Sequence, residues 1–158
     1  MSTFAKSAHL LVYSTAFGAS LYQSFYAGIL AYRNLSIQDF SALQNALFPG
    51  YFALQVASSA VLLFTKPARF GNRTLAIALV TSAVNAFVVL PLSQRVSKRR
   101  AEQAALEGKS WRDADISDEL KGLNKEFAKY HSVSVLANFG TIGSLLAYGV
   151  FLAGAIAF

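Results

Sequence analysis

Few side chains in this sequence could do chemistry, and most of them sit inside apolar runs. Histidine, which titrates near neutrality, occurs twice, as His9 and His131. Four carboxamides, Gln23, Gln55, Asn85 and Asn138, fall one to each of four long apolar stretches. In hydrocarbon an unpaired amide costs several kcal/mol, so these four are expected to face inward and bond one another. They would serve either as glue between helices, at about 0.6 kcal/mol per bond, or as a polar seam for a solute, and glue is the simpler account. The histidines are expected at opposite ends of the apolar runs, separated by ~30 Å of hydrocarbon. A metal site needs three or four ligands, so each histidine reads as an interfacial hydrogen-bonding residue. Asp113, Asp115, Asp118 and Glu119 gather at the start of an expected helix, where acids suit the dipole. There is no paired carboxylate within an apolar run, no glycine-rich phosphate loop and no nucleophile beside a base. With no cysteine, thiolate chemistry is excluded, and the sequence predicts neither an enzyme nor a cofactor.

The elements that must position these groups follow from composition. The 158 residues are 54% hydrophobic and 14% charged, against roughly 25% charged in soluble domains. A helix needs about 20 apolar residues to cross a bilayer, and four stretches qualify, at about 8–32, 46–65, 74–92 and 132–157. None contains an Asp, Glu, Lys or Arg, which argues against proton-coupled transport. Residues 33–45 read as a short polar connection. Pro49 is expected in the first turn of the second crossing and Pro91 as a kink near the end of the third. Small residues at Ala16, Ser20, Ser24 and Gly28 make one packing seam, and Gly140, Gly143, Ala147 and Gly154 a second that could meet it.

Between Pro91 and His131 lies a water-loving island with nine of the fourteen basic and seven of the eight acidic residues. It reads as a helical hairpin, residues 93–131. The first arm pairs Lys98 with Glu102 and stops at Gly108. On the second, Ile116, Leu120, Leu123, Phe127 and Tyr130 recur at helical spacing on one face. That stripe packs on the first arm or lies on headgroups in the simpler account, and binds a partner in the sharper one. The fold class is therefore all-α: a polytopic four-helix membrane bundle with a soluble hairpin between its third and fourth crossings. The formal charge of +6 flanks apolar runs instead of forming one wet surface, so the expected partner is the lipid bilayer and not nucleic acid. A homo-oligomer or a membrane-protein partner is compatible with the seams.

His9-Leu10-Leu11 with Gly18, Phe25-x-x-Gly28, Leu47-Phe48-Pro49-x-Tyr51-Phe52, Val84-Asn85-Ala86 with Pro91, and Tyr130-His131-x-x-Ser134-x-x-x-Asn138 occur in this order within the four runs. In this the chain resembles the transmembrane protein 205 family. The resemblance implies a four-pass protein of a eukaryotic endomembrane or plasma membrane, a mitochondrial membrane being the alternative. Animal members are linked to tolerance of platinum compounds through export or vesicle traffic, and no catalytic residue is known. The chain departs from the animal pattern at Phe87-Val88-Val89-Leu90, where that pattern includes an arginine and a glutamate. Two functions are compatible: an accessory component of small-molecule export, or a non-transporting scaffold or trafficking adaptor acting through the hairpin. Near the expected helix ends, Arg33, Arg95, Lys98, Arg99, Arg100, Lys125 and Lys129 outnumber Lys6, Lys66, Arg69 and Arg73, which places the hairpin in the cytosol by the positive-inside rule.

Overall fold

Short polar signals start the helices, and they start two of them earlier than the apolar runs alone suggest. A computed structural model describes residues 2–65 and 71–155, so Lys66 to Phe70 and the end of the last crossing lie outside the described residues. Ser2 accepts the Ala5 N–H at 3.3 Å and opens α1, Thr3–Tyr22. A π-turn, Gln23–Ala27, joins α1 without a break to α2, Gly28–Asn34. Ser36 then accepts the Asp39 N–H at 3.1 Å and donates to its carboxylate at 2.6 Å, an N-terminal cap. Helix α3, Ile37–Thr65, therefore absorbs most of the expected connection at 33–45, which shrinks to Leu35 and Ser36.

Pro49 consequently stands inside α3, not in its first turn. Lacking an N–H, it leaves the Asn45 carbonyl four residues back unclaimed, and Gln94 Nε2 donates to that oxygen at 3.1 Å. The next rod is α4, Asn72–Val84, a second π-turn at Asn85–Val89, and α5, Leu90–Glu107. Pro91 is the second residue past that π-turn. The wider turn, in which the Leu90 N–H reaches the Asn85 carbonyl, relieves the clash a proline ring makes with the carbonyl four residues earlier. Helix α6 runs unbroken from Asp118 to Ala155, 38 residues or about 57 Å.

The hairpin at 93–131 is thus not a separate helical pair. Its arms are the extended ends of α5 and α6, joined at residues 108–117. Gly108 takes the left-handed φ of 62° that ends α5. Ser117 caps α6 through the Leu120 N–H at 3.1 Å, and the Glu107 carboxylate at the end of α5 accepts both the Ser117 N–H, at 3.0 Å, and its hydroxyl. One carboxylate so ties the end of one arm to the start of the other.

The rods pack side by side, α1 on α3, α3 on α4, α4 on α6 and α6 on α1. The two small-residue seams do not meet each other. Ser20 and Gly28 of the first face Gln55 and Gln44 on α3, and Gly140 of the second lies against Thr81 on α4. Helices α1 and α6 meet instead where Gly149 receives the Tyr13 hydroxyl. Large apolar side chains point outward, with Phe64 84%, Phe87 72% and Leu136 70% exposed, while Ser20, Gln55, Ser59, Ser82, Asn85 and Thr141 are buried. Apolar outside with polar inside is the order expected when the surroundings are hydrocarbon. Three helical rods, Ile37–Thr65, Asn72–Glu107 and Asp118–Ala155, are long and apolar enough to cross a membrane.

Candidate functional site

The interior amides divide into three groups. Gln55 Nε2 has two protons and three oxygens within bonding distance to share them: Ser20 Oγ on α1 at 3.0 Å, Tyr51 OH one turn earlier at 2.9 Å and Asn138 Oδ1 on α6 at 3.0 Å. Tyr51 OH donates to the same Asn138 oxygen at 2.9 Å, and Asn138 Nδ2 donates to Ser24 Oγ at 2.8 Å. Gln55 and Asn138 therefore meet, with three hydroxyls between them. The other two expected members do not join. Gln23 donates to Gln44 at 3.2 Å, and Asn85 donates to the Ser134 backbone carbonyl at 3.0 Å. Both begin π-turns, and each finds its acceptor on the facing rod nearest it. Buried acceptors remain unmatched at Gln55 Oε1 and Asn85 Oδ1. Tyr51, the hub of the network, escapes a search for amides, although its i, i+4 spacing to Gln55 signals it.

His9 is buried and uses both ring nitrogens. The Thr65 hydroxyl is committed to the Val61 carbonyl at 2.6 Å, so it accepts from His9 Nδ1 at 2.9 Å, and Nε2 shares a hydrogen bond with Tyr148 OH at 2.6 Å. The imidazole so joins three helices. His131 stacks on Phe127, with ring centroids 5.9 Å apart and planes within 7°. Along α6, His131 and Tyr148 are separated by about 25 Å, so the histidines belong to different ends of the molecule. Among the described residues no group of three His, Asp or Glu could hold a metal ion.

The stripe on the second arm is mostly covered. Ile116, Leu120 and Leu123 are buried, the first two with Ala104 and Trp111, while Phe127 and Tyr130 are half-buried. Phe127 instead carries a charge, since the Arg100 guanidinium lies over its ring at 3.8 Å and over that of Trp111 at 4.6 Å. Arg100 is only 7% exposed. In the sequence it is one of seven bases near the helix ends expected on the cytosolic side. The signal that finds it is periodic: Val96, Arg100 and Ala104 are buried at steps of four, so the arginine sits on the inward face of its arm. Nearby, Lys109 Nζ stands 2.6 Å from Asp115 Oδ2, and that hydrogen bond and charge hold the Asp115 carboxyl below its ordinary range.

Arg100 lines a cavity of about 410 Å³ with walls from Tyr32 at the end of the first rod, from α3, α5 and α6, and from the joining loop. Phe48, Phe52 and Leu90 line one part, and Trp111, Arg112 and Asn124 another. A second cleft of about 590 Å³ lies between α3 and α5, over Asn45, Gln94 and Lys98.

A membrane protein with apolar helices, polar at its core and hollowed beside its charged end, is the class defined by these features. The chain belongs to the family described as domain of unknown function DUF4149, whose model matches residues 11–102. It is 26% identical over 148 residues to Xanthocillin biosynthesis cluster protein D of Aspergillus fumigatus, covering 94% of this chain and 88% of that one. Over 60 residues it is 38% identical to Transmembrane protein 205 of Danio rerio, 38% of this chain and 32% of the relative. No solved structure matches.

Proposed function

We propose that the chain crosses the membrane four times, the first rod from Thr3 to Asn34 supplying the remaining crossing, with the ends of α5 and α6 in the cytosol. In this reading it is a non-catalytic accessory component of small-molecule export that holds its solute in the cavity between the first rod, α3, α5 and α6. The observation that carries the reading is the contrast between that cavity and the closed polar centre. Gln55 and Asn85 are essentially inaccessible at 1% and 0% exposure, so the middle of a single chain offers a solute no room. A cavity of about 410 Å³ falls within the usual range of small-molecule sites, ~300–1,000 Å³. A relative named for a biosynthesis cluster accords with the handling of small molecules. The adaptor reading loses much of its surface, because Ile116 and Leu120 pack with Ala104 and Trp111 and Leu123 is buried as well.

The test is reconstitution of the purified protein in liposomes, with flux of hydrophobic organic solutes and oligomeric state measured together. Accelerated efflux that is lost when the cavity is filled by Ser93→Trp supports the reading. Efflux equal to that of protein-free vesicles, at every oligomeric state obtained, removes it.

A further inference from the structure

The cavity contains a charge without a counter-charge. Arg100 is buried to more than nine-tenths, yet none of the three ion pairs among the described residues involves it. Its Nε has no hydrogen-bond partner. Two aromatic faces recover part of what a guanidinium loses on leaving water, but a buried ion with no anion and no hydrogen bond to Nε is a costly arrangement. Its neighbours on the same face of α5 are Val96, Ser97 and Ala104, none of them charged. A second guanidinium, Arg112, lines the same cavity, held by a 3.1 Å bond to Tyr32 OH. All eight carboxylates of the sequence lie among the described residues, and none lines the cavity.

The lining is also graded along the helix axes. From Arg100 to Leu90 on α5, and from Asn124 to Ser134 on α6, the wall extends about 15 Å, passing from Arg100, Arg112, Trp111 and Asn124 to Leu90, Phe48 and Phe52, with Ser93, His131 and Ser134 the polar side chains toward that end. A cationic end and an aromatic-aliphatic end, about 15 Å apart, complement a molecule with the opposite ends.

We propose that this cavity binds an amphiphilic anion, with an oxyanion head between Arg100 and Arg112 and an apolar body along Phe48, Phe52 and Leu90. This deepens the proposed function by naming the chemical class of the solute, and it rests on the same cavity. The head group can belong to a bilayer lipid or to a free amphiphile, since phosphate chemistry is common to both.

Trp111 is the only tryptophan in the chain and lies against Arg100, so its fluorescence reports occupancy directly. The full chain is placed in phosphatidylcholine nanodiscs and titrated with decyl phosphate, and in a parallel series the discs contain increasing phosphatidic acid. Decanol and inorganic phosphate are the controls. A saturable Trp111 response to an anionic probe is expected, weakened at least tenfold by Arg100→Gln, and absent with inorganic phosphate. Response to phosphatidic acid alone identifies a lipid head group, and response to decyl phosphate identifies a free amphiphile. Should Arg100→Gln fail to fold, Arg112→Gln, at an exposed position, reads the same loss. Decanol binding as well as decyl phosphate, an unchanged affinity in the arginine variant, or inorganic phosphate binding alone overturns the anion assignment while the small-molecule site stands. Silence toward every probe, decanol included, removes both.

Discussion

Replacing Asn138 by leucine should destabilise the protein far more than replacing Gln55, although both sit in the same network. Asn138 takes part in three bonds, from Gln55, from Tyr51 and to Ser24. At about 0.6 kcal/mol each these sum to roughly 2 kcal/mol, and their loss also takes the acceptor of the Tyr51 hydroxyl, while the two amide protons of Gln55 keep Ser20 and Tyr51. Each stranded buried donor adds about 1–3 kcal/mol, less whatever local rearrangement recovers, so Asn138→Leu should cost about 3–5 kcal/mol. Gln55→Leu loses contacts to Ser20, Tyr51 and Asn138, again roughly 2 kcal/mol, but also removes a buried oxygen with no partner, a gain of about 1–3 kcal/mol. It should be neutral to within about 1 kcal/mol. The double variant should lie below the sum of the singles by at least about 1 kcal/mol, as coupled residues do. Equilibrium unfolding in mixed detergent micelles measures all four corners of the cycle. Additive losses, or a Gln55→Leu loss as large as that of Asn138→Leu, would refute the network.

Pro49→Ala offers a backbone N–H to the Asn45 carbonyl that Gln94 already serves, so it should change stability by no more than about 1 kcal/mol; a rise in melting temperature in detergent worth about 3 kcal/mol would show that the Gln94 bond does not compensate for the proline. Gly71→Ala places a side chain at φ 85° and its Cβ 2.7 Å from the Tyr148 ring, so a loss of about 1–3 kcal/mol is expected, and an unchanged melting temperature would contradict the close approach. Because the chain has no cysteine, single cysteines report topology cleanly. In intact cells Ser110→Cys should resist a membrane-impermeant thiol reagent until permeabilisation, and Asn72→Cys should lie on the opposite face; reversed labelling would invert the proposed orientation.

The broad architecture was legible because hydrocarbon imposes simple demands on composition: uncharged runs near 20 residues, small-residue seams, and charge confined to one island. Helix limits were less legible where a cap decides them. Ser36 and Asp39 extend α3 well upstream of its apolar part, and Pro49 is accommodated within the helix because Gln94, distant in sequence, binds the carbonyl that the proline frees. Among the amides, the pairing of Gln55 with Asn138 could be anticipated, whereas the partners of Gln23 and Asn85 could not, because a π-turn redirects side chains and leaves no mark in composition. Arg100 was hidden for another reason. In Lys98-Arg99-Arg100 three similar charges stand in a row, and beyond the four-residue step that Arg100 shares with Val96 and Ala104, it is the arrival of Trp111 and Phe127 from other elements that sets one of them apart.

The π-turn at Asn85–Val89 also fixes phase. A π-turn holds one residue more than an α-turn, and each residue turns the helix by about 100°. A chain lacking one residue there would still be helical, apolar and long enough to cross a bilayer, and hydropathy would not register the change. Everything beyond it on α5 would nevertheless be rotated by about 100° relative to α4, carrying Arg100 off the Phe127 ring while Asn85 kept its bond to Ser134. The widened turn is therefore the gear tooth that aligns the two halves of one rod, the lower set for the bond from Asn85 to Ser134 and the upper for the guanidinium.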